Sequence, residues 1–175
     1  MYLKLKRTPG LYLAGFMASG KTTAGRALAE ELGWRFVDID SEIEQEEGMP
    51  ISRIFLERGE SVFRDLETTA IRKHVHQVQS GHPSVIALGG GALIQPNNWQ
   101  VLENNGVTIW LDCSLDRVRQ RLGSDTTRPL AADPQKLAQL FEERRPIYSR
   151  ADFRIEADCD SVDELVCRIL RLPIF

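Results

Sequence analysis

The stretch LYLAGFMASGKTTAGRALAEELG, residues 11–33, decides how this chain folds. Its first four residues are largely apolar and predict a buried strand, and residues 21–32 carry apolar or small side chains at helical spacing. The pattern GxxxxGKT, residues 15–22, lies at the junction. Glycines there allow backbone N–H groups to close around anionic oxygens, and the new helix directs its positive end at them. The junction therefore predicts a phosphate-binding loop.

Two side chains of this loop suit a nucleotide. Lys21 would reach the β- and γ-phosphates, and the hydroxyl of Thr22 would bind Mg²⁺. An ordinary strand-to-helix turn with an incidental lysine is the alternative. We favour nucleotide binding because a predicted strand precedes the pattern and a predicted helix follows it.

Length and composition favour one globular domain over residues 1–175. The chain has 42% hydrophobic and 27% charged residues, without low-complexity tracts or internal repeats. Its net charge of −3 argues against a nucleic-acid binder, whose surface would be basic. The apolar runs are too short to span a bilayer and the N-terminal residues lack a secretory signal, so we expect a cytoplasmic protein without a membrane partner. Nothing in the sequence fixes the oligomeric state, and we expect a monomer.

The cysteines and histidines do not suggest a metal site. Cys113, Cys159 and Cys167 lack the spacing of metal ligands, and we expect reduced, partly buried thiols. His74 and His76 lie two residues apart, which on a helix directs them to different faces.

Predicted strands and helices alternate along the rest of the chain. The strands after the first are expected at residues 35–37, 84–88, 107–111 and 152–157. Helices are expected at residues 41–48, 51–58 and 61–78, with Gly59 as a break between the last two. A further helix is expected to follow the fourth strand and end at about residue 122, and another to cover residues 134–150. This alternation implies a parallel sheet covered by helices on both faces. Ligands of such sheets bind beyond the carboxyl ends of the strands, where the candidate residues fall.

Two aspartates and three glycines follow predicted strands. Phosphoryl transfer needs a metal bridge and a carboxylate that positions or deprotonates the attacking hydroxyl. Asp38 and Asp40 could divide these tasks, since side chains at i and i+2 of a strand share a face; a solvated strand end is the alternative. Gly89, Gly90 and Gly91 leave a stretch of backbone without side chains, which a small ligand could approach, although a simple turn would also use glycines.

Three arginines are candidates for binding anionic groups. Arg64 and Arg144 could each grip a carboxylate with two parallel hydrogen bonds, and Glu67 could hold Arg64 in place on its helix. Ordinary surface charge is the alternative for either arginine taken alone. Arg128 lies in the polar loop of residues 123–133, which has the composition of a lid, and could close onto the transferred phosphate.

Together, these residues make the chain resemble shikimate kinases over nearly its full length. The matching segments are GFMASGKTT, FVDIDSEIE, IFLERGESVFRDLE, LGGGAL, TTRPLAA and ERRPIYSRAD, in that family's order and at compatible spacing. The resemblance implies an α/β P-loop kinase fold, with a five-stranded parallel sheet flanked by helices and a mobile lid. It also implies transfer of the γ-phosphate of ATP to the 3-hydroxyl of shikimate, with Mg²⁺ as cofactor, in aromatic amino acid biosynthesis.

The resemblance also implies roles for individual residues. Lys21, Asp40 and Arg128 would be catalytic, and Thr22 and Asp38 would serve Mg²⁺. The implied nucleotide-binding residues are Gly15, Ala18, Ser19, Gly20, Lys21, Thr22, Thr23, Arg121 and Arg128, with Arg121 near the adenine. The implied shikimate-binding residues are Asp40, Arg64, Gly89, Gly90, Gly91 and Arg144, the first two on helices within about residues 38–78. Arg144 is preferred to Arg145 because the family pattern places this arginine two residues before the proline.

The chain departs from the family pattern at three places. Ala18 stands where the family usually has glycine, and its methyl group could limit a positive φ. The lid reads RPLAA where a second leucine after the proline is common, and the segment EADCDS lacks a basic residue that some members place near adenine.

Two other functions compete with this interpretation. A related kinase acting on gluconate or a nucleoside monophosphate is the nearest enzyme, but a gluconate kinase is not expected to combine the Asp-x-Asp, FRDLE and GGG features. A catalytically silent nucleotide-binding module is the alternative of another class. It would be expected to have lost Lys21, Asp40 or Arg128, and all three are present.

Overall fold

A parallel β-sheet forms the core of the molecule. A computed structural model of the chain describes residues 10–123 and 133–174. Within them, the strands are β1 (Gly10–Ala14), β2 (Arg35–Asp38), β3 (Ser84–Ala87), β4 (Gly106–Asp112) and β5 (Phe153–Glu156). All neighbouring strands are parallel, in the order β2-β3-β1-β4-β5. The predicted five-stranded parallel sheet is thus confirmed, with each strand at its expected position.

The helices flank this sheet. They are α1 (Lys21–Leu32), α2 (Ile39–Glu47), α3 (Ile51–Gln79), α4 (Pro96–Leu102), α5 (Leu115–Leu122), α6 (Pro134–Tyr148) and α7 (Val162–Leu170), and a 3₁₀ turn covers Ala92–Ile94. The central strand β1 is buried along its whole length, as expected for a strand covered on both faces. Two helices, α4 and α7, were not predicted. In the part of the chain that is described, no helix combines the length and apolarity needed to cross a membrane.

Gly59 breaks the third helix as predicted. Its φ of 85° and ψ of 167° lie outside the helical region, so the segments before and after it form a kinked pair within α3. A positive φ costs glycine little because it has no Cβ.

The two histidines on α3 differ in their exposure, and so do the three cysteines. His74 is buried, with Nε2 at 2.6 Å from Glu42 Oε2, whereas His76 is exposed, so the two face different sides of α3 as predicted. Cys113 and Cys159 are buried and Cys167 is exposed, and all three are free thiols.

The strand order brings several chain segments to one edge of the sheet. The carboxyl end of β1 leads into the predicted phosphate loop, that of β2 into α2, and that of β3 into the three glycines. Since β1 pairs with β3 and β3 with β2, these segments are neighbours. Arg128 and nearly all of the predicted lid lie outside the described residues.

Candidate active site

The phosphate loop joins β1 to α1. Gly15 and Gly20 have φ values of 143° and 96°, in the region that favours glycine. Lys21 folds over the loop, and its Nζ donates to the carbonyl oxygens of Gly15 and Phe16, both at 2.9 Å. Ser19 is fully buried, and its Oγ has no hydrogen-bond partner among the described residues. The loop therefore encloses polar groups that a phosphate could bind.

Ala18 adopts the positive φ that its methyl group was expected to limit. Its φ is 57°, in the left-handed region, which costs a residue with a Cβ about 1–2 kcal/mol. Arg121 Nη1 donates to the Ala18 carbonyl at 2.9 Å, so α5 contributes to holding this turn of the loop. Ala18 therefore holds a left-handed conformation despite its methyl group.

Asp38 links the phosphate loop to the second strand. Its Oδ2 accepts from the Thr22 hydroxyl at 2.5 Å, and its Oδ1 accepts from the Ser41 backbone N–H at 3.1 Å. The second contact is an N-cap, which begins α2 directly after β2. The prediction that Asp38 and Asp40 share a strand face is therefore wrong, because Asp40 lies in the first turn of α2. Both aspartates nevertheless line the same cavity.

One buried oxygen from each of two carboxyl groups lies at Gly89. A Cβ at this position would lie 2.5 Å from Glu67 Oε1 and 2.6 Å from Asp40 Oδ1, so both oxygens pack against the bare Cα. Neither oxygen has a hydrogen-bond partner within residues 10–123 and 133–174. Burial raises the pKa of Asp40 although Lys21 acts against the shift, and burial raises the pKa of Glu67 to about 7 despite its contact with Arg64.

Arg64 lies over the third glycine of the loop. Its Nη1 donates to Glu67 Oε2 at 2.8 Å, and Nη2 donates to Glu60 Oε1 at 3.1 Å. A Cβ at Gly91 would lie 2.5 Å from Nη2 and 2.6 Å from Nη1, so the absence of a side chain there admits the guanidinium. Burial alone would lower the pKa of Arg64, but the carboxylates of Glu67 and Glu60 outweigh it and the pKa is raised.

A second arginine approaches the glycines from α6. Arg144 Nη1 donates to the Gly90 carbonyl at 3.1 Å, and the Tyr148 hydroxyl donates to the same oxygen at 2.5 Å. Burial lowers the pKa of Arg144, and repulsion from Arg64 adds to the shift. The neighbouring Arg145 instead contacts Asp112, at 2.7 Å. Two partly buried guanidinium groups therefore face one small region, which favours an anionic ligand there.

A cavity of about 610 Å³ extends from the phosphate loop to α5 and the segment after β5. This volume lies in the range of sites that enclose a small ligand. Predicted residues on its wall are Ala18, Gly20, Lys21, Thr22, Thr23, Asp38, Asp40, Gly90 and Arg121. Arg64, Gly89, Gly91 and Arg144 are not on its wall and adjoin it through Asp40 and Gly90. The cavity and the group of residues around the three glycines thus adjoin each other.

Sequence reasoning missed two residues of this site. Arg117 lines the cavity, and its Nη2 donates to the Cys159 carbonyl at 3.0 Å and to Asp160 Oδ1 at 2.6 Å. Tyr148 contacts Gly90 beside Arg144. The available signal was helical spacing, since Arg117 precedes Arg121 by four residues and Tyr148 follows Arg144 by four.

Comparisons with known proteins give consistent matches. The family model described as shikimate kinase matches residues 17–172. The shikimate kinase of Sulfurihydrogenibium sp. (strain YO3AOP1) is 45% identical over 161 residues, which cover 91% of this chain and 95% of that protein. The structure of shikimate kinase from Acinetobacter baumannii in complex with shikimate aligns with a TM-score of 0.85 and 37% identity, covering 94% of this chain and 92% of that one.

A more distant neighbour shows the fold alone. The structure of a gluconokinase from Sinorhizobium meliloti 1021 aligns with a TM-score of 0.60 at 17% identity, covering 93% of this chain and 89% of that one. This likeness shows a shared fold and carries no argument about the acceptor of this chain.

Proposed function

Because the chain belongs to the shikimate kinase family, we propose that it transfers the γ-phosphate of ATP to the 3-hydroxyl of shikimate. The products are ADP and shikimate 3-phosphate, within aromatic amino acid biosynthesis. The observation that carries the proposal is the convergence of Arg64, Arg144 and Asp40 on the three glycines beside the phosphate loop. In that arrangement the two arginines can bind the carboxylate of shikimate, and the carboxylate of Asp40 can accept a hydrogen bond from a hydroxyl of the same ligand.

The phosphate loop supplies the nucleotide site. Backbone N–H groups between Gly15 and Gly20, together with Lys21, bind the phosphates. Arg121 and the rest of the cavity wall receive the nucleoside, for which the volume of about 610 Å³ leaves room. From the lid, Arg128 meets charge that develops on the transferred phosphoryl group.

The residues beside Lys21 suit Mg²⁺. The Thr22 hydroxyl and the Asp38 carboxylate converge to 2.5 Å at the edge of the cavity, and hydroxyl and carboxylate oxygens are the ligands that Mg²⁺ takes from proteins. Thr22 and Asp38 would hold the ion, which when bound would neutralise phosphate charge.

Arg64 and Arg144 bind the carboxylate of shikimate. Arg64 already donates to Glu67, and Arg144 already donates to the Gly90 carbonyl. These hydrogen bonds fix the orientation of each guanidinium. The two positive charges repel each other, and a bound carboxylate would relieve that repulsion.

Asp40 receives the proton in the transfer step. The 3-hydroxyl oxygen forms a bond to the γ-phosphorus, the bond from that phosphorus to the bridging oxygen of ADP breaks, and the hydroxyl proton passes to the Asp40 carboxylate. Burial raises the pKa of Asp40, which brings it nearer to the pH at which a general base is effective.

One assay tests the proposed function. ATP consumption is measured by a coupled reaction with shikimate, quinate, gluconate and nucleoside monophosphates in parallel. We expect the highest kcat/KM with shikimate, because the paired arginines select a carboxylate and the glycine-lined region is small. A higher kcat/KM with gluconate would make the chain a sugar-acid kinase, and turnover of none of them would favour the silent module.

A further inference from the structure

Gly90 is the point at which three parts of the site meet. Its carbonyl accepts from Tyr148 and Arg144 of α6, at 2.5 and 3.1 Å. A Cβ at Gly90 would lie 3.6 Å from Met17 N, 3.9 Å from Gly15 O and 4.0 Å from the Tyr148 hydroxyl oxygen, so the Cα faces the backbone of the phosphate loop with room for one methyl group between them. Gly90 thus lies between α6 and the phosphate loop.

We propose that Tyr148 is a positioning residue for phosphoryl transfer, whose hydroxyl fixes the Gly90 peptide against the phosphate loop and so couples acceptor binding to nucleotide binding. The inference rests on the proposed acceptor site at Gly89–Gly91. Nothing in the proposed reaction requires the tyrosine to touch either substrate.

The hydroxyl is suited to this task because both acceptor positions of one carbonyl oxygen are used. A carbonyl oxygen has two lone pairs, and here one donor is the neutral Tyr148 hydroxyl and the other is the charged Arg144 guanidinium. Tyr148 is 2% exposed, so water does not readily replace a lost donor. Without the hydroxyl, the orientation of the Gly90 peptide would depend on Arg144 alone, and Arg144 would be pulled between that carbonyl and the acceptor carboxylate.

The same peptide connects to both substrates. The nitrogen of this peptide belongs to Gly91, whose Cα lies under the Arg64 guanidinium, and its carbonyl belongs to Gly90, whose Cα faces the phosphate loop. Rotation of the Gly90 peptide would therefore change both the floor of the acceptor site and the space beside Gly15 and Met17. A nucleotide that orders the phosphate loop would also order this peptide, which is the physical basis for the coupling.

Tyr148→Phe tests this inference, and Tyr12→Phe is the matched control. Tyr12 is also buried, and its hydroxyl also donates to a backbone carbonyl, that of Asn105 at 3.0 Å, but it lies at the opposite end of the sheet. Each substitution removes one hydroxyl and one hydrogen bond to the main chain. Calorimetry measures the Kd of shikimate, with and without MgADP, and the Kd of MgADP alone. A thermal melting curve gives the Tm of each protein.

We expect Tyr148→Phe to raise the shikimate KM and Kd by roughly three- to tenfold, the loss of one hydrogen bond's net contribution. In the wild type, MgADP should tighten shikimate binding, so that the Kd of shikimate without MgADP divided by its Kd with MgADP exceeds one. In Tyr148→Phe this ratio should fall towards one. The Kd of MgADP alone should stay within about twofold in the variant, since its backbone N–H groups remain. Tyr12→Phe should lower Tm without changing either shikimate value.

Two results would overturn the inference while leaving the proposed function intact. One is a Tyr148→Phe enzyme that loses Tm like Tyr12→Phe but keeps the wild-type shikimate Kd and MgADP ratio, which would make the tyrosine only structural. The other is an equal loss of MgADP and shikimate affinity, which would place Tyr148 in the general packing of the core. A wild-type protein that does not phosphorylate shikimate would refute the proposed function itself.

Discussion

The carboxyl group of Glu67 should make the stability of this fold depend on pH. Glu67 is fully buried, and burial raises its pKa from the ordinary 4.5 to about 7. Between these two values the folded state holds a proton that the unfolded state has released. Stability from this group is therefore fully present below about pH 4.5 and is lost as pH rises through about 7. The total loss is on the order of 3 kcal/mol, at about 1.4 kcal/mol for each unit of pKa.

Glu67→Gln isolates this effect because glutamine has nearly the same shape and does not titrate. The free energy of unfolding is measured by urea denaturation for the wild type and the variant at about pH 5 and about pH 8. We expect the wild type to lose about 2–3 kcal/mol relative to Glu67→Gln across this interval. Titrating groups that do not interact with Glu67 are common to both proteins and cancel in the comparison, whereas Asp40 interacts with Glu67 and contributes to the difference.

Glu60→Gln is the control for the loss of an ion pair with Arg64. Glu60 contacts the same guanidinium at 3.1 Å but is 65% exposed, so its pair with Arg64 should contribute less than about 1 kcal/mol at either pH. A difference between wild type and Glu67→Gln that stays constant from about pH 5 to about pH 8 would refute the reasoning, because burial would then not govern the ionisation of Glu67.

Three further predictions concern the reaction. Arg64→Ala and Arg144→Ala should each weaken shikimate binding by about tenfold or more with little change for MgADP, since each removes a charge-assisted pair; calorimetry showing unchanged shikimate affinity in both would contradict the carboxylate clamp. Asp38→Asn should need more Mg²⁺ and regain part of its rate when Mg²⁺ is raised, whereas Asp40→Asn should lose kcat without rescue. A Mg²⁺ titration of initial rates checks this, and the reverse pattern would exchange the two roles. Arg128→Ala should lower kcat by at least about tenfold with a smaller effect on shikimate affinity, and an unchanged kcat would remove this arginine from the mechanism.

Local patterns in the sequence were sufficient for the sheet and the phosphate loop. The apolar runs gave the strand positions because parallel strands are buried on both faces, and GxxxxGKT marks a junction whose backbone conformation is set by neighbouring residues. The break at Gly59 was also a local signal. Helix α7 was missed although Leu165, Val166 and Ile169 mark its buried face and Ser161 caps it, so that signal was present and not used.

Contacts between distant segments could not be predicted in the same way. Asp38 is both the last residue of β2 and the N-cap of α2. The helix therefore begins directly after the strand, and Asp40 lies in the helix although the sequence pattern predicted a strand end. The burial of Glu67 depends on Gly89, and the position of Tyr148 depends on Gly90, in each case across a wide separation in sequence. Such pairings follow from the tertiary packing and have no signature in a single sequence.

Several unfavourable local arrangements in the described structure lie where the substrates would bind, whereas the positive φ of Asn104 and the unpaired Oδ1 of Asn98 lie outside that site. Ala18 holds a positive φ, the Ser19 hydroxyl is buried without a partner among the described residues, and Arg64 and Arg144 repel each other. Each of these costs the free protein some stability, but only the repulsion between Arg64 and Arg144 is of a kind that an anionic ligand relieves, because a carboxylate neutralises the paired guanidinium groups. The central strand, by contrast, follows the ordinary rule of apolar burial along its whole length. We infer that the repulsion between the two arginines is retained because binding of a carboxylate converts it into affinity for the acceptor.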